Sequence, residues 1–125
     1  SLLEQWPELS EAQQRAILLA CGQLARRLHS VGQVHGCFYP KHIFLQASGD
    51  GYAAQLIDLE KTRPLLFGWR DRVKDLEPLL RRAPQWSHDQ VRQLLAAYLA
   101  QPEDSALVAT WHQRLAARRS HKENR

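Results

Sequence analysis

The spacing of apolar residues predicts a long amphipathic helix in the first part of the chain. After Ser10, apolar side chains recur every three or four positions, which is the period of a helix with one buried face. Ser10 is a good N-cap residue, and Gly32 is typical of the position just after a helix. The apolar stripe consists of Ile17, Cys21, Leu24, Ala25 and Leu28.

The helical period stops in the stretch from Val34 to Thr62. Ile43 to Leu45 forms a short apolar run, and Ala47 to Gly51 is rich in turn-forming residues. Tyr52 to Leu59 is predicted to return as a second strand, with Leu56 and Ile57 as its apolar part. Two apolar runs joined by a Gly-containing turn predict a β-hairpin.

The helical period resumes in the second half of the chain. A helix is predicted from Trp69 to Arg82, and Pro78 inside it predicts a kink or an early end. Ser87, with Gln90 three residues later, is the pattern of a capping box that starts the next helix. Pro102 is predicted to break that helix.

A last helix is predicted to begin near Glu103 or Ser105, and residues 120–125 are predicted to be a disordered tail. The predicted fold class is therefore mainly α with one short β-hairpin, or α+β overall, in a single domain over residues 1–119. Four tryptophans are scattered along the chain, so we expect them to anchor helices to a common core. They are Trp6, Trp69, Trp86 and Trp111.

The net charge and the cysteine content restrict the partners and the cellular compartment that we expect. The net charge of +4 is mild for a nucleic-acid binder, so no nucleic acid is expected as a partner, although a helical DNA-binding domain stays as a third interpretation. The basic residues near the end of the chain indicate either a solvated helix face or attraction to an anionic surface such as phospholipid or lipopolysaccharide. The two cysteines are too few for a disulfide framework, which favours reduced thiols in the cytoplasm.

The residues able to carry chemistry concentrate around the predicted hairpin. His35, Cys37, Lys41 and His42 precede its first strand, and Asp58 ends its second strand. The hairpin is expected to bring the polar loop and the carboxylate together. A carboxylate at a strand end is chemically suited to magnesium.

Less specific interpretations stay open for each of these residues. Asp58 could cap a turn, His42 could pack and hydrogen-bond the loop, and Cys37 could be a small buried residue. A nucleophilic Cys37 would need a base and an oxyanion site, for which its spacing from His35 is weak support. A zinc site is also conceivable, but the spacings match no common zinc module. Its ligands would be His29, His35, Cys37 and His42.

Several segments together resemble a known family. They are L-H-S-V-G-Q-V-H-G at 28–36, C-F-Y-P-K-H-I-F-L at 37–45, L-I-D-L-E at 56–60 and K-D-L at 74–76. In this order they resemble the C-lobe of the protein-kinase-like fold, in which a helix leads into a catalytic loop, a hairpin and a magnesium-binding Asp. Within that fold, residues 10–83 resemble the lipopolysaccharide kinase (Kdo/WaaP) family, in particular its InaA branch.

The resemblance implies roles for individual residues. His42 stands where protein kinases have an Asn and would, with Asp58, bind the cofactor and its metal ion. Lys41 would contact phosphate, and His35 would be the structural histidine of the loop. Asp75 matches the helix Asp that ties down the backbone of the catalytic loop.

Cys37 is the main departure from the family pattern. It falls five residues before His42, where the family has the catalytic Asp, and a thiol is mostly neutral at pH 7. Gly36 stands where such loops often carry Arg. Because phosphoryl transfer has a loose transition state, a weaker base does not by itself exclude activity. Cys37, His35 and Lys41 are the candidate catalytic residues.

The chain carries no pattern typical of an N-lobe, such as a Gly-rich phosphate loop or a strand Lys, and it contains no Met. We therefore expect it to be the C-lobe of a longer protein that uses ATP and Mg²⁺, and to be inactive alone. The resemblance implies phosphorylation of a sugar hydroxyl of the lipopolysaccharide core, in the cytoplasm or in peripheral contact with the inner membrane. The alternative is a catalytically impaired pseudokinase that acts as a binding or regulatory module in envelope stress.

Overall fold

A computed structural model describes residues 3–36, 38–49, 51–56 and 62–123, with side chains as far as Arg119. Over these residues it is mostly helical, with two small antiparallel sheets. Short 3₁₀ turns lie at Trp6–Glu8 and Pro40–His42. In chain order the other elements are α1 (Glu11–Ser30), β1 (Gln33–Val34), β2 (Ile43–Ser48), β3 (Gly51–Leu56), β4 (Arg63–Pro64), α2 (Trp69–Arg81), α3 (His88–Leu99) and α4 (Ala106–Glu123).

Helix α1 begins and ends where its sequence predicts. The Ser10 side chain accepts a hydrogen bond from the Gln13 amide at 3.1 Å, and the Gln13 side chain accepts one from the Ser10 amide at 2.9 Å. This capping box satisfies amides that the first helical turn leaves without partners. At the other end, Gly32 has a φ of 79°, a left-handed conformation that a side chain would disfavour.

The predicted apolar stripe of α1 faces the core, where the helix packs closely against α3. At Gly22, an added Cβ would lie 2.5 Å from the Leu94 carbonyl oxygen and 2.7 Å from the Ala97 Cβ. The missing side chain therefore allows the two helix backbones to approach each other. Cys21 lies on the same face, and burial raises the pKa of its thiol to about 12.

The tryptophans confirm the core prediction in three positions and contradict it in one. Trp6, Trp86 and Trp111 are buried in the common core. Trp69 is 41% exposed and lies beneath the guanidinium group of Arg114, whose Cζ is 3.9 Å from the ring centroid. Its position at the start of α2, just after a loop, places it at the surface.

The predicted hairpin is present as far as the structure describes it. Strands β2 and β3 are antiparallel, with a register that runs from Ile43 opposite Leu56 to Ser48 opposite Gly51. The predicted end of the second strand, residues 57–59, lies outside the described residues. The second sheet was not predicted: β1 pairs with β4, with Val34 opposite Arg63. A ladder of two residues per strand is too short to leave a period in the sequence.

The remaining helices largely follow the sequence. Helix α2 continues through Pro78 to Arg81, so the predicted early end is wrong. The Ser87–Gln90 capping box starts α3, which ends at Leu99 before Ala100 adopts a left-handed conformation, three residues earlier than the predicted break at Pro102. Within the described chain, no helix has both the length and the apolar composition to cross a bilayer.

Helix α4 starts just after Ser105, whose hydroxyl accepts a hydrogen bond from the Val108 amide at 3.1 Å. Its backbone stays helical to Glu123, where the sequence predicts a disordered tail over 120–125. No Pro or Gly interrupts residues 106–125, which is consistent with this continuation. The last two residues lie outside the described part of the chain. The predicted α+β fold class is confirmed.

Candidate active site

A buried carboxylate on α2 holds the backbone of the polar loop that precedes the hairpin. Asp75 Oδ2 accepts a hydrogen bond from the His35 amide at 2.8 Å, and Oδ1 accepts one from the Gly36 amide at 2.9 Å. The Asp75 side chain is buried. An ionised acceptor makes stronger hydrogen bonds than a neutral one, so the loop backbone is firmly positioned at these two residues. The predicted contact of Asp75 with the loop is confirmed.

The same carboxylate is connected to α1 and α3. His29, in the last turn of α1, donates from Nε2 to Asp75 Oδ2 at 2.8 Å. Its Nδ1 accepts from the Tyr98 hydroxyl of α3 at 2.6 Å. Burial raises the pKa of Tyr98, so this hydroxyl keeps its proton at neutral pH. Three helices thus converge on the backbone of one loop.

This network also argues against the zinc site that was considered from the sequence, in which His29 would be a ligand. His29 uses both ring nitrogens, which leaves neither for a zinc ion. From the sequence, His29 was considered only as a zinc ligand, and Tyr98 was given no role in the site. A signal for His29 was present, because it continues the buried stripe of Cys21 and Ala25 at intervals of four residues. A polar residue on a buried stripe requires a partner.

His35 and His42 lie side by side beneath the surface. Their ring centroids are 5.3 Å apart, and His35 also contacts the buried Phe38 at 5.9 Å. His35 is fully buried and His42 nearly so. This packing agrees with a structural role for His35. It leaves His42 at the edge of the site, with its ring stacked on Tyr39 at a centroid distance of 5.6 Å.

Tyr39 sets the conformation of the turn that carries Lys41 and His42. Its carbonyl accepts a hydrogen bond from the His42 amide at 2.9 Å, closing the 3₁₀ turn. The Cζ atom of Arg82 lies 4.1 Å from the Tyr39 ring centroid, a cation–π contact from the end of α2. Lys41 is exposed, with Nζ 5.8 Å from the same ring. The turn therefore presents the Lys41 ammonium group at the surface.

A cavity of about 430 Å³ lies beside this turn and the hairpin. Lys41, Ile43, Phe44 and Tyr52 are among the residues that line it. The Phe44 ring is more than half exposed, although it lies on a strand. The cavity thus combines the Lys41 cation with an exposed aromatic ring and apolar side chains.

Two of the predicted site residues, Cys37 and Asp58, lie outside the described residues, so their predicted roles stay predictions. Among the residues that the structure does describe, no group of three or more His, Cys, Asp or Glu side chains is arranged to hold a metal ion. A magnesium site would therefore need a ligand from outside the described residues, and Asp58 is the predicted one. His35 and His42 pack against each other, and Lys41 lies beside His42 in the same 3₁₀ turn, so their predicted catalytic and binding roles also stay predictions.

Comparisons with known proteins agree with this geometry. A model of the lipopolysaccharide kinase (Kdo/WaaP) family matches residues 1–98. Protein InaA of Escherichia coli (strain K12) is 32% identical over 88 residues, which is 66% of this chain and 39% of InaA. The solved structure of WaaP in complex with acyl carrier protein superposes with a TM-score of 0.73 at 24% identity.

The match to WaaP covers 94% of this chain and 54% of the WaaP chain. At this level of identity it shows the fold, which is the kinase-like C-terminal lobe expected from the loop and hairpin. The chain spans about two fifths of InaA and about half of WaaP.

Proposed function

The chain belongs to the lipopolysaccharide kinase (Kdo/WaaP) family, and on that premise we propose that it is the C-lobe of an ATP-dependent phosphotransferase. The acceptor is a sugar hydroxyl of the lipopolysaccharide core. The reaction takes place on the cytoplasmic side of the inner membrane, and the N-lobe belongs to the same longer protein. The chain alone is expected to lack activity, because half of the nucleotide cleft lies in that N-lobe.

This proposal rests on the two hydrogen bonds that the Asp75 carboxylate accepts from the His35 and Gly36 amides. Phosphoryl transfer depends on positioning and electrostatic stabilisation more than on covalent chemistry by the protein. A catalytic loop must therefore keep the same backbone conformation during substrate binding and product release. Fixing two consecutive backbone amides by a buried carboxylate, immediately before position 37, supplies that rigidity.

The described residues fit a nucleotide in two respects. The exposed ammonium group of Lys41 is available for a phosphate oxygen, and the exposed ring of Phe44 offers a flat surface for a base. Leu56 pairs with Ile43, next to His42, and Asp58 follows Leu56 by two residues in the sequence. Asp58 and His42 would hold Mg²⁺, which when bound neutralises charge on the phosphates.

Cys37 weakens the ability of the loop to orient and deprotonate the acceptor hydroxyl. In the family pattern this position carries an Asp that orients the acceptor hydroxyl and receives its proton. A thiol has a reference pKa of about 8.5 and lacks the two oxygens of a carboxylate, so Cys37 is a weaker base and orienting group. Acceptor positioning then rests more heavily on the rigid backbone.

The same residue supports the second candidate function. If Cys37 disables acceptor activation, the protein binds nucleotide without turnover and serves as a pseudokinase in a regulatory role. The two candidates share a fold and a nucleotide site. They differ in whether phosphate leaves ATP.

Phosphate transfer by the full-length protein distinguishes the candidates. ATP turnover on a lipopolysaccharide core acceptor, lost in Asp58→Ala and retained in the surface control Asp89→Ala, supports the kinase. Nucleotide binding without turnover, unchanged in Cys37→Ala, supports the pseudokinase. A full-length protein that neither binds nor turns over ATP would refute both. Micromolar ATP affinity of the 125-residue chain would contradict the assignment of half the cleft to the N-lobe.

A further inference from the structure

A short loop before α2 presents large apolar side chains to solvent. Leu66 is 71% exposed and Phe67 is 69% exposed. The next aromatic residue, Trp69, is 41% exposed at the first position of the helix. We refer to Leu66, Phe67 and Trp69 as the apolar loop. Single exposed apolar residues are common, but three large ones within four positions indicate an interaction surface.

The backbone beneath these side chains is fixed. Asp71 is buried, and its Oδ2 accepts hydrogen bonds from the Leu66 amide at 2.8 Å and from the Phe67 amide at 3.1 Å. The Leu65 amide also donates to the Gly32 carbonyl at 2.8 Å, which ties the loop to the end of α1. The two apolar side chains are thus displayed by a backbone that other residues hold in place.

Positive charge surrounds the apolar loop. The Trp69 ring contacts two guanidinium groups, with Arg114 Cζ at 3.9 Å and Arg70 Cζ at 5.0 Å from its centroid. The charges of Arg63 and Lys74 act on the Asp71 carboxylate below the loop, and both residues are exposed. Asp71 is itself buried and engaged with backbone amides, so among the described residues its charge is not presented to solvent beside these cations.

The exposure of these side chains bears on which partner fits. Leu66 and Phe67 present most of their surface to solvent, whereas a peptide-binding surface normally offers a groove that receives side chains. Exposed leucine and phenylalanine side chains can enter the acyl region of a bilayer. A tryptophan flanked by arginines suits the headgroup level, where aromatic rings and cations meet anionic lipid. A charged polymer such as nucleic acid would offer no apolar environment in which the Leu66 and Phe67 side chains could be buried.

We propose that the apolar loop and its surrounding cations, Arg63, Arg70, Lys74 and Arg114, form a contact site for anionic phospholipid. Leu66 and Phe67 enter the bilayer, Trp69 lies at the interface, and the cations bind lipid phosphates. This proposal goes beyond phosphate transfer, because membrane contact at this loop requires neither ATP nor an acceptor sugar. Its failure would leave the proposed enzymatic function untouched.

Binding of the full-length protein to vesicles tests the site. We expect sedimentation with vesicles that contain phosphatidylglycerol and much weaker sedimentation with pure phosphatidylcholine. The double variant Leu66→Ser, Phe67→Ser is expected to bind at least about tenfold more weakly, because it removes the inserting apolar area. Both side chains are mostly exposed, so their removal should not disturb folding, which thermal melting verifies.

Matched controls separate this site from general surface properties. Leu19→Ser removes an exposed apolar side chain from the middle of α1 and should bind like wild type. Arg70→Gln with Arg114→Gln should weaken binding to anionic vesicles about tenfold. Arg15→Gln with Arg92→Gln removes the same charge elsewhere and should have a much smaller effect. Lipids with brominated acyl chains should quench the fluorescence of wild type more than that of Trp69→Phe.

Several results would overturn the proposal. They include equal binding to both kinds of vesicle, no binding at all, and equal losses in the loop variants and their controls. Binding of an acidic protein through the same residues, with no affinity for vesicles, would assign the loop to a protein partner instead. Absence of quenching at Trp69 in protein that does bind vesicles would show that membrane contact lies elsewhere.

Discussion

Removing the Asp75 carboxylate should release the candidate catalytic loop and destabilise the chain. Asp75→Ala deprives three donors of their acceptor: the His35 amide, the Gly36 amide and His29 Nε2. A buried donor left without a partner costs about 1–3 kcal/mol. Gly36 is exposed, so water can replace its acceptor, whereas His35 and His29 are buried. Two buried donors without partners, at about 1–3 kcal/mol each, predict a loss of about 2–6 kcal/mol in the free energy of unfolding.

Asp75→Asn should be milder. If the remaining amide oxygen takes the place of Oδ2, it keeps the His35 and His29 bonds, and the new amino group faces the exposed Gly36 amide. The expected loss is about 1–2 kcal/mol. The order of stability is therefore wild type, then Asn, then Ala. This order separates the hydrogen-bonding role of the carboxylate from the volume of the side chain.

Urea unfolding followed by far-UV circular dichroism measures these differences through the midpoint and slope. Asp89→Ala is the control, because the Asp89 side chain is 83% exposed and pairs with Arg92 at the surface. Its expected effect is below about 1 kcal/mol. In the full-length protein, Asp75→Asn should also lower kcat. The decrease should be larger than the loss of folded protein at the assay temperature can account for. An Asp75→Ala variant as stable as Asp89→Ala would refute the assigned role of the carboxylate.

Other predictions concern packing, the loop network and pH. Gly22→Ala should lower the free energy of unfolding by about 2 kcal/mol, because the clash with α3 exceeds the gain in helix propensity; urea midpoints check this against Gln23→Ala. Tyr98→Phe should cost about 1–2 kcal/mol, since His29 Nδ1 loses its donor, and thermal melting measures it. The hydrogen bond from the Leu66 amide lowers the pKa of Asp71. Burial acts in the opposite direction, but the Phe67 amide and nearby cations lower the pKa further, so that it stays below its usual range. The ionised form of Asp71 therefore stabilises the fold above about pH 4. That stability is lost as the pH falls through the lowered pKa, and it should vanish in Asp71→Asn when urea midpoints are compared across pH.

The features that the sequence predicts well are those that depend on neighbouring residues. The capping boxes at Ser10 and Ser87 and the turn at Gly49 act within a few positions, so their patterns are visible directly. Asp75 was predicted from its resemblance to a family position. The pattern of residues around it does not predict the contact, because its partners lie 39 to 46 positions away.

The features that were missed depend on distant parts of the chain. Tyr98 reads as one more apolar position of α3, and its bond to His29 spans 69 residues. The pairing of β1 with β4 involves two residues on each side and leaves no alternation to detect. Trp69 has the composition of a core residue, and its exposure follows from how α2 enters the fold. In each case tertiary contacts decide what local preference leaves open.

The anchored loop and the residue at position 37 make separate contributions to catalysis, and this separation can be tested. Asp75, His29 and Tyr98 fix the backbone of residues 35 and 36, whichever side chain follows. A Cys37→Asp substitution should therefore add a carboxylate to a loop that is already positioned, without a change in stability. Since a well-placed general base contributes up to about 10²–10⁴-fold, and less for a loose transition state, a gain of about tenfold in kcat is expected. The same substitution combined with Asp75→Asn should lose most of that gain, because the Gly36 amide, next to position 37, would then face the new amino group instead of a carboxylate oxygen. A full gain in the double variant would show that the anchor serves stability alone.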